Sequence, residues 1–228
     1  MTETAATPPI SGRTVLVAGA TSAAGVAATR ALVGAGARVI ATGRAADRLV
    51  PLAELGARTD VCDLTDESAA GRLAAALEDD GVRIDGILHL VGGWRGGGGI
   101  AGQTEADYRF LEQSFTALRH VTRAFWDHMV HSPEARLAVV SSTAVSRPLA
   151  GGANYAAVKA ATEAWTRATA HGFAKAARDA DSALHGAAVV YRVTELAGRE
   201  ELLARSFVGL WNTAAAEIND TTIDLSAS

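Results

Sequence analysis

Hydrophobic positions in this chain fall into short, dense runs separated by longer stretches with helical spacing. Residues 13–18 (RTVLVA) are rich in valine, the pattern of a strand buried on both faces. A turn of Gly, Ala, Thr and Ser follows, then a helical stretch through Arg30 to residue 35, closed by Gly34 and Gly36. The rhythm repeats with a strand over 37–42, a helix over 45–55 ended by Gly56, and a strand over 57–61. Thr65 begins a further helix with Asp66 and Glu67 in its first turn, where carboxylates meet the positive end of the dipole. Residues 84–91 read as a fourth strand, followed directly by a glycine-rich stretch over 92–99. Thr104 caps a long helix running to about His131, with Pro133 just beyond it. A strand over 135–141, an alanine-rich helix over 154–178, a strand over 187–192, a helix over 199–217 and a last strand over 221–225 complete the pattern.

Strands alternating with helices imply parallel strands joined by right-handed crossovers. The expected fold class is therefore α/β, a doubly wound parallel sheet of Rossmann type with helices on both faces. No repeat or linker divides it, so one domain over 1–228 is expected, with 1–12 a flexible N-terminal segment. Among 228 residues, 49% are hydrophobic, enough for a sizeable core and too many for a disordered chain. A net charge of −4 speaks against nucleic acid, which demands a basic stripe. Cys62 is the sole cysteine, so neither an internal disulfide nor a thiolate metal cluster can form. The six histidines are scattered, with His128 and His131 the close pair and no third ligand beside them, so no metal is expected. No apolar stretch approaches the roughly 20 residues that span a bilayer, and the first residues lack the basic and apolar regions of a secretory leader. A cytoplasmic protein acting on a small molecule, without membrane or nucleic-acid partners, is the expectation.

In a doubly wound sheet, ligands bind beyond the carboxyl ends of the strands, where strand order reverses. The first such turn reads Gly19-Ala20-Thr21-Ser22-Ala23-Ala24-Gly25. Gly19 suits a tight turn, Gly25 allows close helix–strand packing, and small residues between them let backbone amides approach a pyrophosphate. An ordinary tight turn without ligand is the competing reading. The second strand ends in Thr42-Gly43-Arg44, with Arg48 one turn on and no carboxylate for a ribose hydroxyl. That favours NADP (NADPH) over NAD, because a guanidinium grips a 2′-phosphate. Asp63 and Leu64, after the third strand, are placed to line an adenine edge, while Val91, Gly92 and Gly93 follow the fourth.

Tyr155 and Lys159 lie four apart on one face of a predicted helix, and Ser142 sits thirteen residues before Tyr155 at a strand end. An ammonium beside a phenol would lower its pKa toward a usable acid–base range. Trp94 either lines the nicotinamide or stacks on a flat substrate, or else folds over the core, and Phe207 with Trp211 either roofs the pocket or forms a core face. Arg109, Arg119 and Arg123 read as a solvated face with neighbouring acids.

Gly19, Gly25, Asp63, Ser142, Tyr155 and Lys159, in this order and spacing, resemble the short-chain dehydrogenases/reductases, over nearly everything from Arg13 to Leu225. The resemblance implies hydride transfer between nicotinamide and a carbonyl or alcohol. Tyr155 would be general acid/base, Ser142 would orient the substrate oxygen, and Lys159 would hold the nicotinamide ribose. It also implies a homodimer or homotetramer through the helices over 104–131 and 154–178, where Ala156, Ala160, Ala161 and Ala164 permit close approach. Departures stand out beside the matches. Ala23 replaces the middle glycine, His89-Leu90-Val91-Gly92 replaces Asn-Asn-Ala-Gly, and Ser114 (or Gln113, offset by one) replaces the asparagine of a proton relay. The usual Pro-Gly after the sixth strand reads Tyr191-Arg192-Val193-Thr194-Glu195. The loop Val91-Gly92-Gly93-Trp94-Arg95-Gly96-Gly97 is similar to that of the dihydropteridine reductases, which lack a serine matching Ser142. A pterin-type reductase, a nucleotide-binding sensor or scaffold without turnover, and an epimerase or dehydratase on the same fold are the alternatives.

Overall fold

A computed structural model describes residues 9–226. Its strands are β1 (Thr14–Ala18), β2 (Arg38–Gly43), β3 (Arg58–Val61), β4 (Gly86–His89), β5 (Arg136–Ser142), β6 (Ala187–Val193) and β7 (Thr221–Asp224). Its α-helices are α1 (Ala23–Gly34), α2 (Val50–Glu54), α3 (Glu67–Asp79), α4 (Glu105–Ala124), α5 (Trp126–Val130), α6 (Ala153–Asp179), α7 (Glu200–Gly209) and α8 (Ala215–Ile218). All strands are parallel in one sheet of order β3-β2-β1-β4-β5-β6-β7. The doubly wound class expected from the pattern is the fold observed. Strand order reverses between β1 and β4, whose last residues Ala18 and His89 are register partners. The cleft therefore opens at the carboxyl ends of these strands.

Alternation along β1 divides the core into two layers. Val15 and Val17 face the layer that holds Leu32, Tyr191, Phe207 and Trp211. Leu16 and Ala18 face the opposite layer, with Leu77, Phe125, Leu137 and Phe173. Phe207 and Trp211 meet edge to face at 5.4 Å and are buried, so they form a core face and roof no pocket.

Several boundaries differ from the pattern, each for a local reason. The helix expected over 45–55 is a 3₁₀ turn, Asp47–Leu49, leading into the short α2. Thr65 does not begin α3; Asp66 is its cap and accepts from Ser68 N, while Thr65 is held by the Asp63 carboxylate. The helix expected from 104 to 131 is capped by Thr104, which accepts from Asp107 N, but it breaks at Phe125. There Phe125 enters the core and Trp126 stacks on Phe173 at 5.1 Å. The helix expected over 199–217 stops at Gly209, because the buried Arg136 guanidinium takes the carbonyls of Leu210 and Thr213 at 3.0 and 2.8 Å. Residues 1–8 of the expected flexible segment lie outside the described residues, and within 9–12 Ile10 is buried in the core. Arg119 departs from the solvated-face reading by packing over the rings of Phe115 and Trp165. Arg109 pairs with Glu105 and Glu112, and Arg123 with Glu67, at the surface.

Candidate active site

The turn from β1 into α1 shows why its residues are small. Gly19 has φ +80°, and a Cβ there would meet Val91 N at 2.9 Å. A Cβ on Gly25 would lie 2.2 Å from Ala20 O, so only glycine lets the helix sit this close to the strand. Ser22 caps α1: its Oγ accepts from Gly25 N at 3.1 Å and donates to Gly19 O at 3.1 Å. The first amides of the helix, those of Ala23 and Ala24, are left at its positive end. Ala23 is exposed there, so its methyl does not close the cradle, whereas the Ala24 side chain is buried in the core and offers only its backbone.

A cavity of about 260 Å³ extends from this turn and is lined by Gly19, Thr21, Ser22, Arg44, Arg48, Asp63, Leu64, Val91 and Gly92, among others. Arg48 Nη2 donates to Thr21 O at 3.0 Å, tying the basic corner to the glycine turn. Burial would raise the Asp63 pKa, but hydrogen bonds from Thr65 and the charge of Arg44 outweigh it and hold the carboxyl below its usual range. Leu64 is buried among core residues with one edge on this cavity.

The second cavity, about 540 Å³, shares Ser22, Leu90, Val91 and Gly92 with the first and continues to Gly93, Trp94, Tyr155 and Lys159. Ser142 ends β5, and its Oγ accepts from Ala144 N at 3.1 Å. Tyr155 and Lys159 project from one face of α6, with Lys159 Nζ 5.7 Å from the Tyr155 ring centroid and donating to Val140 O at 2.7 Å. Burial pushes the Lys159 ammonium down to about 8, against the opposing charge of Glu163. Burial also raises the Tyr155 phenol above its ordinary value, and the hydrogen bond with Ser142 is what pulls it back. The expectation that the ammonium acidifies the phenol is thus corrected here: desolvation dominates, and Ser142 is the group opposing it. Trp94 stands on the cavity rim 62% exposed and does not fold over the core.

Ser114 is brought to the same region, but its hydroxyl is spent on Leu111 O at 2.8 Å. Its carbonyl accepts from His89 Nε2 at 3.0 Å, which leaves His89 Nδ1 buried without a partner. Desolvation depresses the His89 pKa to about 4, so the ring is neutral at pH 7. Gln113 lines the first cavity beside Ser114. His128 and His131 do not converge on a site, since His128 Nδ1 accepts from Ile84 N and His131 bonds Asp127 O. Among the described residues no group of three potential metal ligands is gathered.

Two features escaped the sequence. Glu163, one turn beyond Lys159, is buried and receives Arg192 through Nε at 2.8 Å and Nη2 at 2.6 Å, with Ser141 Oγ at 2.7 Å. Gln103 bridges the loop after β4 and the segment before α6. Ser141 and Arg192 lie 22 and 29 residues from Glu163, and Gly151 and Asn154 lie 48 and 51 from Gln103, so no local spacing announces these contacts.

Residues 13–177 match the family profile described as short chain dehydrogenase. The chain is 31% identical over 179 residues to NADP-dependent 3-hydroxy acid dehydrogenase YdfG of Escherichia coli (strain K12), covering 75% of this chain and 72% of that protein. It is 33% identical over 151 residues to serine 3-dehydrogenase of Agrobacterium fabrum (strain C58), covering 64% and 60%. A putative short chain dehydrogenase from Shigella flexneri 2a, solved in complex with NADP, superposes with TM-score 0.83 at 19% identity, over 96% of this chain and 99% of that one. The chain belongs to the short-chain dehydrogenase/reductase family and is an oxidoreductase of that family. No helix among the described residues is long and apolar enough to cross a membrane.

Proposed function

We propose that this protein is an NADP(H)-dependent oxidoreductase that interconverts a carbonyl and an alcohol, with Tyr155 as the proton-transferring group. The observation that carries the reading is that Tyr155 and Lys159 line a cavity continuous with the Gly19 turn, with the buried Ser142 at the β5 end bonded to Tyr155 from behind that lining. A dinucleotide fits the residues present. The two glycines let the chain pass closely from β1 into α1, the α1 amides suit a pyrophosphate, and Arg44 with Arg48 suits a 2′-phosphate. Gly92, Gly93 and Lys159 would hold the nicotinamide half. When bound, the cofactor supplies or accepts the hydride.

The chain's own residues manage the proton. At neutral pH the raised phenol is protonated, so Tyr155 is set as an acid toward a substrate oxygen, which suits carbonyl reduction. Ser142, bonded to Tyr155, stabilises the phenolate left behind, while Lys159 serves the cofactor side of the cavity. Tyr155 recovers its proton from water in the open cavity. The named relatives act on 3-hydroxy acids and serine, so 3-hydroxy and 3-keto acids head the substrate panel. Tyr155→Phe should lower kcat for the best of them by about 10²–10⁴-fold with NADPH affinity nearly unchanged. An undiminished rate removes Tyr155 from the chemistry, and NADPH binding without turnover of any carbonyl would favour a sensor.

A further inference from the structure

Gln103 sits between the glycine-rich loop after β4 and the Thr104 cap of α4, outside every spacing that marks the family. Its amide nitrogen donates to the carbonyls of Gly97 at 3.0 Å, Gly99 at 3.2 Å and Gly151 at 3.0 Å. Its amide oxygen accepts from Asn154 N at 3.1 Å. The orientation is dictated by the partners: turned over, the amide would set its oxygen against three carbonyls and its nitrogen against an N–H. Asn154 is in the first turn of α6, and α6 has Gly152 at its cap position with no side-chain cap of its own. Gln103 is therefore the side chain that satisfies an orphan amide at the head of the helix carrying Tyr155. Around it the two loops are pressed together. Gly97 N donates to Gly151 O at 2.7 Å, and a Cβ on Gly96 would lie 2.5 Å from that oxygen and 3.1 Å from the Trp94 ring.

We infer that Gln103 is a positioning residue that clasps the substrate-side loops, 94–102 and 146–152, to each other and to the start of α6. This rests on the oxidoreductase reading for its kinetic consequence, but not for its geometry. One amide fixes the wall bearing Trp94 and, through the turn of helix from Asn154, the azimuth of Tyr155. An amide suits this place because it donates from one atom and accepts at another, so one side chain serves the loop carbonyls and the Asn154 N–H together. The substrate pocket is consequently built before substrate arrives, through a part-buried hydrogen-bonded network and not at the expense of binding energy.

Two variants separate the two halves of the clasp. Gln103→Glu keeps an acceptor for Asn154 N and removes the donor to the loops; Gln103→Leu removes both. Amide hydrogen exchange should become faster by about tenfold or more at residues 97–102 and 151–152 in both variants. Asn154 and Tyr155 amides should lose protection in Gln103→Leu alone. In turnover, KM for the carbonyl substrate should rise by about tenfold in both, with kcat falling further in Gln103→Leu and NADPH affinity within about twofold. Unchanged exchange at 97–102 overturns the clasp whatever the kinetics show. An equal weakening of NADPH binding overturns the assignment to the substrate side. If no carbonyl is turned over by the parent protein, the exchange data still decide the clasp, and only the oxidoreductase reading fails.

Discussion

Two buried cations occupy opposite ends of one strand and do opposite things. Arg136 begins β5, and its guanidinium donates to the carbonyls of Leu210, Ala135, His185 and Thr213 at 2.8–3.1 Å, with Trp211 beneath it. Lys159 reaches the other end, gives one hydrogen bond to Val140 O, and turns its remaining donors to the cavity beside Tyr155. Burial lowers both pKa values, but only the ammonium is brought near the working pH, at about 8. A charge whose nitrogens are each engaged by backbone closes a structure; a charge left partly unspent holds capacity for a ligand. The amino end of the sheet is thus sealed, and the carboxyl end is held open.

The comparison can be broken at either end. The largest effect is expected from Lys159→Met, which should lower kcat/KM by about 10²–10³-fold in steady-state assays. The same variant should be more stable than the parent at pH 7 by about 1–2 kcal/mol in chemical denaturation, because a charge held below its ordinary 10.5 costs folding energy. The folded protein binds fewer protons than the unfolded chain between about 8 and 10.5, so parental stability should rise with pH across that window and the rise should vanish in Lys159→Met. A destabilised Lys159→Met would place the lysine with Arg136 as a structural group. Arg136→Met should do the reverse, costing about 3 kcal/mol of stability by stranding several carbonyls, with KM for NADPH and substrate unchanged. A kinetic defect without a stability loss would erase the contrast. The smallest effect is Arg44→Ala, an exposed site, where KM for NADPH should rise by about 3–10-fold and KM for NADH should not. Equal changes would remove Arg44 from 2′-phosphate recognition.

Much of this architecture is legible in the chain because it is local. Short apolar runs mark β1, β2, β5 and β6, and the Tyr155–Lys159 spacing on α6 follows from helix geometry alone. What stayed hidden depends on partners distant in sequence. Arg136 looks like the polar first residue of a strand until Leu210 and Thr213 fold against it, and that encounter is also what interrupts the helix expected over 199–217. Phe125 reads as one more apolar helix position, yet its burial breaks the helix expected to reach His131. The sign of the Tyr155 shift could not be read from its spacing to Lys159, since it depends on how deeply the phenol is buried. His89 and Gln103 carry no motif; their meaning comes from Ser114 O, Gly151 O and Asn154 N.

The loops beside the second cavity have a practical side. They are fastened through main-chain oxygens and one amide, while the side chains of Trp94, which lines that cavity, and of Ile100 and Leu149 further along project outward, 62–69% exposed. Randomising these three tips would therefore alter what enters without loosening the frame behind them. A mutational library confined to positions 94, 100 and 149 would explore selectivity on a scaffold that stays rigid, and diversity introduced at 96, 103 or 151 would be lost to misassembled loops.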